Sequence, residues 1–459
     1  MEKKRLKISF LGGAGTVTGS KTLVEFDQKK ILIDCGLFQG LKELRNLNRA
    51  PFPIPPDTID VLVLTHAHLD HCGYIPLLVK NGFKGEIHCT DSTAELAEII
   101  LRDSAKIQEE DAARAARYSY SRHVKPEPLY TTQDVIQSLK LFVTHKYSEW
   151  IIFHPGIKFQ FLNNGHILGS GFVELKLSKT TLLFSGDIGK MKPMLLYPPK
   201  KVKHADYIVL ESTYGDRLHD QSDVKEELLA VIEEVWANKG ILMIPSFAVE
   251  RTQELIYLLY RLKEDGSLPA LPIYLDSPMG INSSKVYIHY KEQQNIPTDI
   301  LHHMYDQVHF ISDMEASKRI CLDNSPKIVL AGSGMIEGGR IIHYLNNHMD
   351  NPKNTLLFVG FQGEGTRGRA IQNGSKEIKF FGEYHEVKCK IRSISSLSAH
   401  GDQNDLLSWL KHFKKEPNTI FLNHGEPHQS DALRVKIEHE LGWNCETPKM
   451  NDTYILEIE

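Results

Sequence analysis

The sequence lacks several features that would assign it to a special class of protein. No stretch approaches 18 consecutive apolar residues, so we expect no transmembrane helix, and glycines interrupt the basic N-terminal segment early, so we expect no cleaved signal and a cytoplasmic protein. The six cysteines form no C-x-x-C pair, which predicts reduced thiols rather than a disulfide framework. A net charge of -4 excludes a uniformly basic surface, so any binding of nucleic acid requires a local groove.

Length and composition indicate an ordinary folded protein with more than one domain. A single hydrophobic core stops growing at about 250–300 residues, and the chain has 459. Apolar residues (41%) and charged residues (24%) occur at the usual frequencies, which excludes disordered and collagen-like classes. The 22 histidines are numerous, and histidine is the side chain most often used for metal binding and for proton transfer near neutral pH.

The pattern of elements changes twice along the chain. The first ninety residues read as strands, residues 92–118 as a long helix with a capping box at Ser92 and Glu95, and residues 155–190 as strands that we expect to continue the same sheet. From about residue 209, strands alternate with helices, which predicts parallel βαβ units. We therefore predict one α/β domain from residues 1–208 and 386–459, interrupted by a second at 209–385.

The strongest chemical signal is the segment HAHLDH at residues 66–71, which follows the apolar run VLVLT. In an extended chain, residues i and i+2 share a face, so His66 and His68 can bind one ion, and a turn can direct Asp70 and His71 to a second. Imidazole and carboxylate ligands favour zinc, with manganese or iron as alternatives. The other interpretation is a polar loop that happens to be rich in histidine.

The HAHLDH segment resembles the signature of the metallo-β-lactamase superfamily, and the other motifs of that family occur in order. Asp34 in ILIDCG matches the first motif, an aspartate that orients ligands without necessarily touching a metal. His166 in NNGHILGSG matches the third, a ligand of the first ion, and Asp187 in LLFSGDIG matches the fourth, a carboxylate able to bridge two ions. The resemblance implies an αββα sandwich. Taken singly, an aspartate before glycine is more often a turn residue.

The rest of the chain resembles the β-CASP branch of that superfamily, in which a mostly parallel α/β domain is inserted into the sandwich. Glu211 in VLESTYGDR, His400 in SLSAHGD and His424 in LNHGEPH match its motifs A, B and C. The resemblance makes His424 a ligand of the second ion, together with Asp70 and His71. DNA-repair members of the branch typically carry an apolar residue at motif C and RNA-processing members a histidine, so His424 favours RNA.

These residues can support hydrolysis of a phosphodiester by two divalent ions, which we expect to be two Zn²⁺, with Mn²⁺ as an alternative. Asp187 would bridge the ions, and His400, held by Glu211, would protonate the leaving oxygen. The alternative is that His400 is a structural histidine and Glu211 a structural carboxylate.

Candidate phosphate contacts lie outside the metal motifs. Ser333, Gly334 and Met335 follow the predicted strand KIVL and precede a predicted helix, so their backbone N–H groups can face a phosphate, although a tight turn alone also explains the glycines. Ser398 and Arg369 are further candidates. Basic residues that could line a groove, or merely solvate a face, occur at Arg114, Arg117, Arg122 and within 200–203.

The sequence therefore predicts a zinc-dependent ribonuclease that binds single-stranded RNA in the cleft between its domains, as a monomer or homodimer, with no membrane contact. Three alternatives stay open: a DNA nuclease of the same branch, an inactive RNA-binding scaffold and a metallohydrolase of small molecules. An insertion of about 175 residues is hard to explain for a small substrate, and the intact ligand set speaks against the scaffold.

Overall fold

The computed structural model describes residues 4–118, 127–220, 222–360, 362–394 and 397–458, and the chain forms two compact units. The first unit comprises Met1–Pro193, Tyr197–Leu218 and His400–Glu459, and the second comprises Met194–Leu196 and His219–Ala399. The strand Tyr207–Glu211 belongs to the first unit, so the boundary predicted at residue 208 falls inside a strand.

The first unit contains two seven-stranded sheets. In spatial order, the first sheet consists of β22 (Thr453–Ile458), β1 (Lys4–Gly12), β2 (Lys21–Phe26), β3 (Lys29–Ile33), β4 (Val61–Val63), β5 (Glu86–Thr90) and β6 (Phe142–His145). The second consists of β21 (Cys445–Glu446), β20 (Thr419–Asn423), β11 (Tyr207–Glu211), β10 (Thr180–Phe184), β9 (Gly171–Leu177), β8 (Ile157–Asn163) and β7 (Ile151–His154).

The two sheets pack face to face over one apolar core. Alternate residues of β1, such as Leu6, Ile8 and Phe10, enter this core from the first sheet, while Phe159 and Phe161 of β8 enter it from the second. The expectation that residues 155–190 continue the first sheet is therefore wrong. Those strands form a separate layer because strand alternation specifies which face is buried but not which sheet buries it.

Helices accompany both sheets of the first unit. They are α1 (Lys42–Leu47), α2 (Leu69–Cys72), α3 (Ile75–Lys80), α4 (Asp91–Tyr118), α5 (Thr132–Leu139), α13 (Gln403–Leu410) and α14 (Pro427–Leu441). Trp409 of α13 and Leu433 of α14 pack in a core on the outer face of the second sheet. The capping box predicted at Ser92 is wrong: α4 begins at Asp91, and the hydroxyl of Thr90 accepts a hydrogen bond from the backbone N–H of Thr93.

The second unit is built on a six-stranded parallel sheet. In spatial order its strands are β14 (Val308–Phe310), β13 (Ile273–Asp276), β15 (Lys327–Ala331), β12 (Ile241–Pro245), β16 (Thr355–Phe358) and β19 (Lys390–Ser393). A separate hairpin consists of β17 (Glu377–Phe380) and β18 (Glu383–Glu386). The helices are α6 (Val224–Asn238), α7 (Arg251–Glu264), α8 (Pro278–His289), α9 (Thr298–His303), α10 (Met314–Leu322), α11 (Ile341–His348) and α12 (Arg367–Gln372). Within the described ranges, no helix is both long and apolar enough to cross a membrane.

Strand direction in the first unit brings the chemical motifs to one edge of each sheet. Strands β3 and β4 are parallel neighbours, so the residues that follow them meet at the same edge. In the second sheet, β10, β11 and β20 are parallel to one another, and β8 has the same direction because both β8 and β10 are antiparallel to β9. Every metal-competent motif predicted from the sequence follows the carboxyl end of one of these strands.

Candidate metal centre

Among the described residues, three overlapping groups of metal-competent side chains lie at this edge of the first unit, and the third, Asp187, Glu211 and His424, shares members with the two clusters that contain the predicted ligands. His66, His68, His166 and Asp187 form the first cluster, and Asp70, His71 and His424 form the second, with the ligand atoms of each cluster within 4.8 Å of one another. The seven residues come from the segments that follow β4, β8, β10 and β20; Asp70 and His71 lie in the short helix α2 and the others in loops. The structure thus brings together all seven side chains that the sequence nominated as metal ligands.

Within the first cluster, the imidazoles face a common point. Nε2 of His166 lies 3.1 Å from Nδ1 of His68 and 3.5 Å from Oδ2 of Asp187. Nε2 of His66 lies 3.4 Å from the same Asp187 oxygen. Burial lowers the pKa of His66 to about 3 and that of His68 to about 4, so both imidazoles are neutral and offer a lone pair.

The second cluster faces the other side of Asp187. Nε2 of His71 lies 3.2 Å from Nε2 of His424 and 3.3 Å from Oδ1 of Asp187. Nε2 of His424 is also 3.5 Å from Oδ2 of Asp70. Burial lowers the pKa of His71, but the carboxylates of Asp187 and Asp34 outweigh that effect and hold the pKa well above its usual value.

Asp187 is the carboxylate between the clusters. Its Oδ2 atom faces His66 and His166, while its Oδ1 atom faces His71 and lies 3.3 Å from Nδ1 of His424. Although burial raises the pKa of Asp187, the surrounding histidines hold it well below its usual range. One ionised carboxylate therefore offers a different oxygen to each cluster.

Hydrogen bonds behind the ligands select their tautomers. Asp34 accepts hydrogen bonds from Nδ1 of His71 (2.7 Å) and from the hydroxyl of Thr65 (2.9 Å). The Thr65 hydroxyl donates its proton to Asp34, so its oxygen can only accept a hydrogen bond from Nδ1 of His66, which lies 3.0 Å away. His66 is thereby left with an unprotonated Nε2, whereas His71, whose pKa is raised, has Nδ1 fixed by Asp34 and must release the proton of Nε2 to bind a cation. Asp34 thus influences ligands of both clusters.

A threonine hydroxyl orients His424 in a similar way. The hydroxyl of Thr213 donates to the backbone carbonyl of His424 (3.0 Å) and lies 3.2 Å from Nδ1 of that residue. Nδ1 can then donate to the hydroxyl, and Nε2 is directed toward His71 and Asp70 with its lone pair.

The donor set fits a cation at each cluster. Nε2 of His66 and Oδ1 of Asp187 are buried and have no hydrogen-bond partner among the described residues. The Nε2 atoms of His71 and His424 lie 3.2 Å apart, too close for two lone pairs to face each other, so the contact requires a proton or a cation between them. Neutral imidazoles with carboxylates are the ligands that zinc prefers.

Thr65 should be a positioning residue for metal binding. We expect Thr65→Val to weaken zinc binding about 10- to 100-fold, because valine has the same shape but breaks the link from Asp34 to His66. Competition against a chelator measures this affinity directly. Thr355→Val is the matched control, since the Thr355 hydroxyl is buried without a hydrogen-bond partner in the described part of the chain. Equal zinc affinity in the two variants would contradict the role of Thr65.

His400 and Glu211 form a pair beside the two clusters. Nδ1 of His400 donates to the carboxylate of Glu211 at 3.1 Å, and Nε2 lies 4.0 Å from Oδ2 of Asp187. Glu211 is itself fixed by the backbone N–H groups of Ile188 (2.7 Å) and Thr213 (3.2 Å). Burial lowers the pKa of His400, but Glu211 and Asp187 outweigh it and raise the pKa to about 9. The imidazole is therefore protonated at neutral pH, with one N–H directed at the clusters.

The candidate phosphate contacts belong to the second unit. Gly334 and Met335 are tied to neighbouring loops, because their carbonyls accept hydrogen bonds from Gln362 (3.0 Å) and from Gly368 (3.1 Å). The helix predicted after this segment begins at Ile341, and residues 332–340 form turns and bends before it, so residues 333–335 do not lie in its first turn.

The remaining candidates for RNA contacts are less exposed or already paired. Nε of Arg369 donates to Glu364 at 2.8 Å, and Ser398 is buried. Nη1 of Arg114 lies 4.0 Å from Oδ1 of Asp111. Arg122 and the side chain of Arg117 lie outside the described residues. All six cysteines are free and buried, as expected for reduced thiols, and Cys72 donates to the carbonyl of Ala67 rather than joining a cluster.

Of the residues that orient the ligands, Asp34 was predicted from the sequence, but Thr65 and Thr213 were not. Thr65 directly precedes His66, and Thr213 lies two residues after Glu211, so a hydroxyl close to a motif at a strand end was the available signal. Gly36 is a further example: a Cβ atom there would lie 1.6 Å from the carbonyl oxygen of Asp70, so only glycine lets the strand end approach the metal-binding loop.

Comparison with family models gives three matches along the chain. Residues 14–234 match a model described as metallo-beta-lactamase superfamily, residues 252–371 match the Beta-Casp domain, and residues 384–448 match the Zn-dependent metallo-hydrolase RNA specificity domain. The first and third matches contain all seven cluster residues and His400.

Similar curated proteins align along nearly the whole chain. Ribonuclease TTHA0252 of Thermus thermophilus is 34% identical, over 93% of this chain and 95% of its own length. An RNase J-like protein of Methanocaldococcus jannaschii is 31% identical over 94% of this chain and 95% of its own length. Transcription termination factor FttA of Methanosarcina mazei is 30% identical over 97% of this chain and 72% of its own length. A crystal structure of an Enterococcus faecalis protein of unknown function shares the fold, with a TM-score of 0.56 at 11% identity over 99% of this chain and 100% of that one.

Proposed function

The chain belongs to the metallo-beta-lactamase superfamily and to its Beta-Casp branch, and from this premise we propose that it hydrolyses phosphodiester bonds of RNA with two divalent metal ions, zinc in the first instance. The observation that carries the proposal is the position of Asp187, whose two oxygens face two separate clusters of histidines. A carboxylate in this position suits a pair of ions better than a single one.

His66, His68, His166 and Asp187 would hold one ion, and Asp70, His71, His424 and Asp187 the other. Bound there, the ions would activate water and neutralise charge on the phosphate. Thr65 leaves Nε2 of His66 unprotonated, Asp34 fixes Nδ1 of His71, and Thr213 orients His424. These residues prepare the site before substrate arrives, which reduces reorganisation during the reaction.

His400 would supply the proton that the leaving oxygen needs. Its Nε2–H faces the clusters, and its Nδ1–H is held by Glu211, so the ring cannot rotate without breaking that bond. The negative charge of Glu211 stabilises the imidazolium before the proton is transferred. Glu211 acts through His400 and is a positioning residue in this scheme.

RNA is the favoured substrate for two reasons. The relatives named above include a ribonuclease and an RNase J-like protein, and the region at 384–448 matches an RNA specificity domain. His424 also stands where RNA-processing members of the branch carry histidine. The small-molecule alternative is weakened by the second unit, an α/β body of some 180 residues that a small ester would not need.

The proposal is tested by a product ladder. RNA and DNA of the same sequence, each labelled at one end and prepared with a 5′-monophosphate, 5′-triphosphate or 5′-hydroxyl, are incubated with protein of measured zinc and manganese content. We expect RNA to be cleaved faster than DNA, and about two equivalents of metal per chain. The ladder also reveals polarity and end dependence.

Other outcomes identify the alternatives. Faster cleavage of DNA would favour a DNA nuclease, and tight RNA binding by fully metal-loaded protein without cleavage would favour an inactive scaffold. Less than one equivalent of metal after careful reconstitution would contradict the two-metal proposal.

A further inference from the structure

An exposed patch lies on the outer face of the second sheet of the first unit and consists of Trp150, Ile152, Lys158 and Lys176. Ile151 and Phe153 enter the core between the sheets, so Trp150 and Ile152, which alternate with them, lie on the opposite face. The pairing register places Ile152 beside Lys158 and Lys158 beside Lys176. Ile152 is 77% exposed and Trp150 is 37% exposed.

The arrangement of charge in this patch is unusual. Lys158 and Lys176 lie directly opposite each other on antiparallel strands, where like charges destabilise a sheet. Their ammonium groups lie 4.7 Å and 4.8 Å from the centre of the Trp150 ring, so one indole accommodates two cations. A bound anion would relieve the repulsion between them.

The carboxylates near the patch are engaged elsewhere. Glu174, on the same face, accepts a hydrogen bond of 2.7 Å from the amide of Gln160. Glu149, next to Trp150, accepts from the backbone N–H of Lys146 at 3.3 Å. Neither hydrogen bond places a carboxylate against Lys158 or Lys176, so the patch keeps its positive character.

We propose that this patch binds single-stranded RNA outside the metal centre, with a base stacked on Trp150 and neighbouring phosphates between Lys158 and Lys176. This inference rests on the function proposed above. An exposed aromatic ring combined with basic side chains is the usual platform for single strands, because every base has a face that can stack and every nucleotide carries a phosphate. The flexible lysine stems can move from the indole to the phosphates.

The patch lies at a defined distance from the proposed reaction centre. Lys158 is the second residue of β8 and His166 lies three residues beyond its end, so the rest of the strand and the following turn separate them by about 20 Å. At the stacked rise of about 3.4 Å per nucleotide, a strand needs about six nucleotides to span this distance. Only RNA longer than this can occupy both sites.

The test compares long and short RNA with the metal-loaded protein. For Trp150→Ala we expect KM for an RNA of about 20 nucleotides to rise about 10-fold with kcat unchanged, and both constants for an RNA of about three nucleotides to stay at wild-type values. Trp150→Phe retains a stacking ring and should keep most of the affinity. Trp236→Ala is the matched control. Trp236 is also exposed (47%), but it lies on α6 one turn after the acidic Glu233 rather than in the patch.

The lysines are tested by the salt dependence of binding to a phosphorothioate RNA of the same length. Lys158→Gln combined with Lys176→Gln should reduce the slope of log affinity against log salt by about 1.4, because each phosphate contact contributes about 0.7 for single strands. Trp150→Ala should leave this slope unchanged while it lowers affinity.

The possible failures are distinguishable. If the wild-type protein does not cleave RNA, the proposed function fails. If it does, but Trp150→Ala and Trp236→Ala have the same KM for long RNA, only the patch proposal is overturned. A change in sedimentation of Trp150→Ala without a change in RNA affinity would identify the patch as a contact between two copies of the chain and would also overturn it.

Discussion

Asp187→Asn should remove metal from the protein and lower RNA cleavage by at least about 10³-fold. Asparagine has nearly the same size, so the loop after β10 is preserved, but one of the two oxygens becomes an NH₂ group that cannot bind a cation. Because the two Asp187 oxygens face different clusters, either orientation of the amide deprives one cluster of its ligand. Metal analysis of the purified variant and single-turnover cleavage measure the two losses.

A stability readout separates metal loss from misfolding. Zinc raises the unfolding temperature of a protein that binds it only when folded, and this increase should be much smaller in Asp187→Asn than in the wild type. Asp206→Asn is the control, since the Asp206 carboxylate accepts from the backbone N–H of Thr181, away from the clusters. Two equivalents of metal in Asp187→Asn would refute the bridging position.

The ligands were predictable because each is encoded by a short motif at the end of a strand. HAHLDH follows β4, NNGH follows β8 and SGD follows β10, and parallel strand direction brings such ends to one edge. Only the HAHLDH segment was assigned from its own residues. His166, Asp187 and His424, the last of which is 353 residues from His71, were assigned through the family resemblance.

What the sequence could not supply is which residues meet across the fold. The strands within residues 155–190 have the same alternation whether they extend the first sheet or form a second, so their assignment to the first sheet was wrong. Thr65 and Thr213 matter through hydrogen bonds to Asp34, His66 and His424, which depend on side-chain geometry and have no sequence period. The patch at Trp150 escaped notice for the same reason, since its lysines are 18 residues apart and meet only through strand register.

His400→Ala should retain both metal equivalents but lose about 10²- to 10⁴-fold in RNA cleavage. His400 lies outside both clusters of ligand atoms, so its removal leaves every proposed ligand in place. The loss arises because the departing ribose oxygen is a strong base and needs a proton as the bond breaks. Metal content, together with the single-turnover rate on RNA, distinguishes this variant from Asp187→Asn.

A change of leaving group decides whether the lost group is an acid. An aryl phosphodiester such as bis(p-nitrophenyl) phosphate releases a stable phenolate that needs no proton, so its hydrolysis should be nearly equal in the wild type and in His400→Ala. Glu211→Gln keeps an oxygen for only one of the two backbone N–H groups, those of Ile188 and Thr213, and loses the charge that stabilises the imidazolium. It retains an acceptor for His400, so it should show a smaller loss with the same dependence on the leaving group. If His400→Ala lost both reactions equally, the residue would be shaping the metal centre rather than donating a proton.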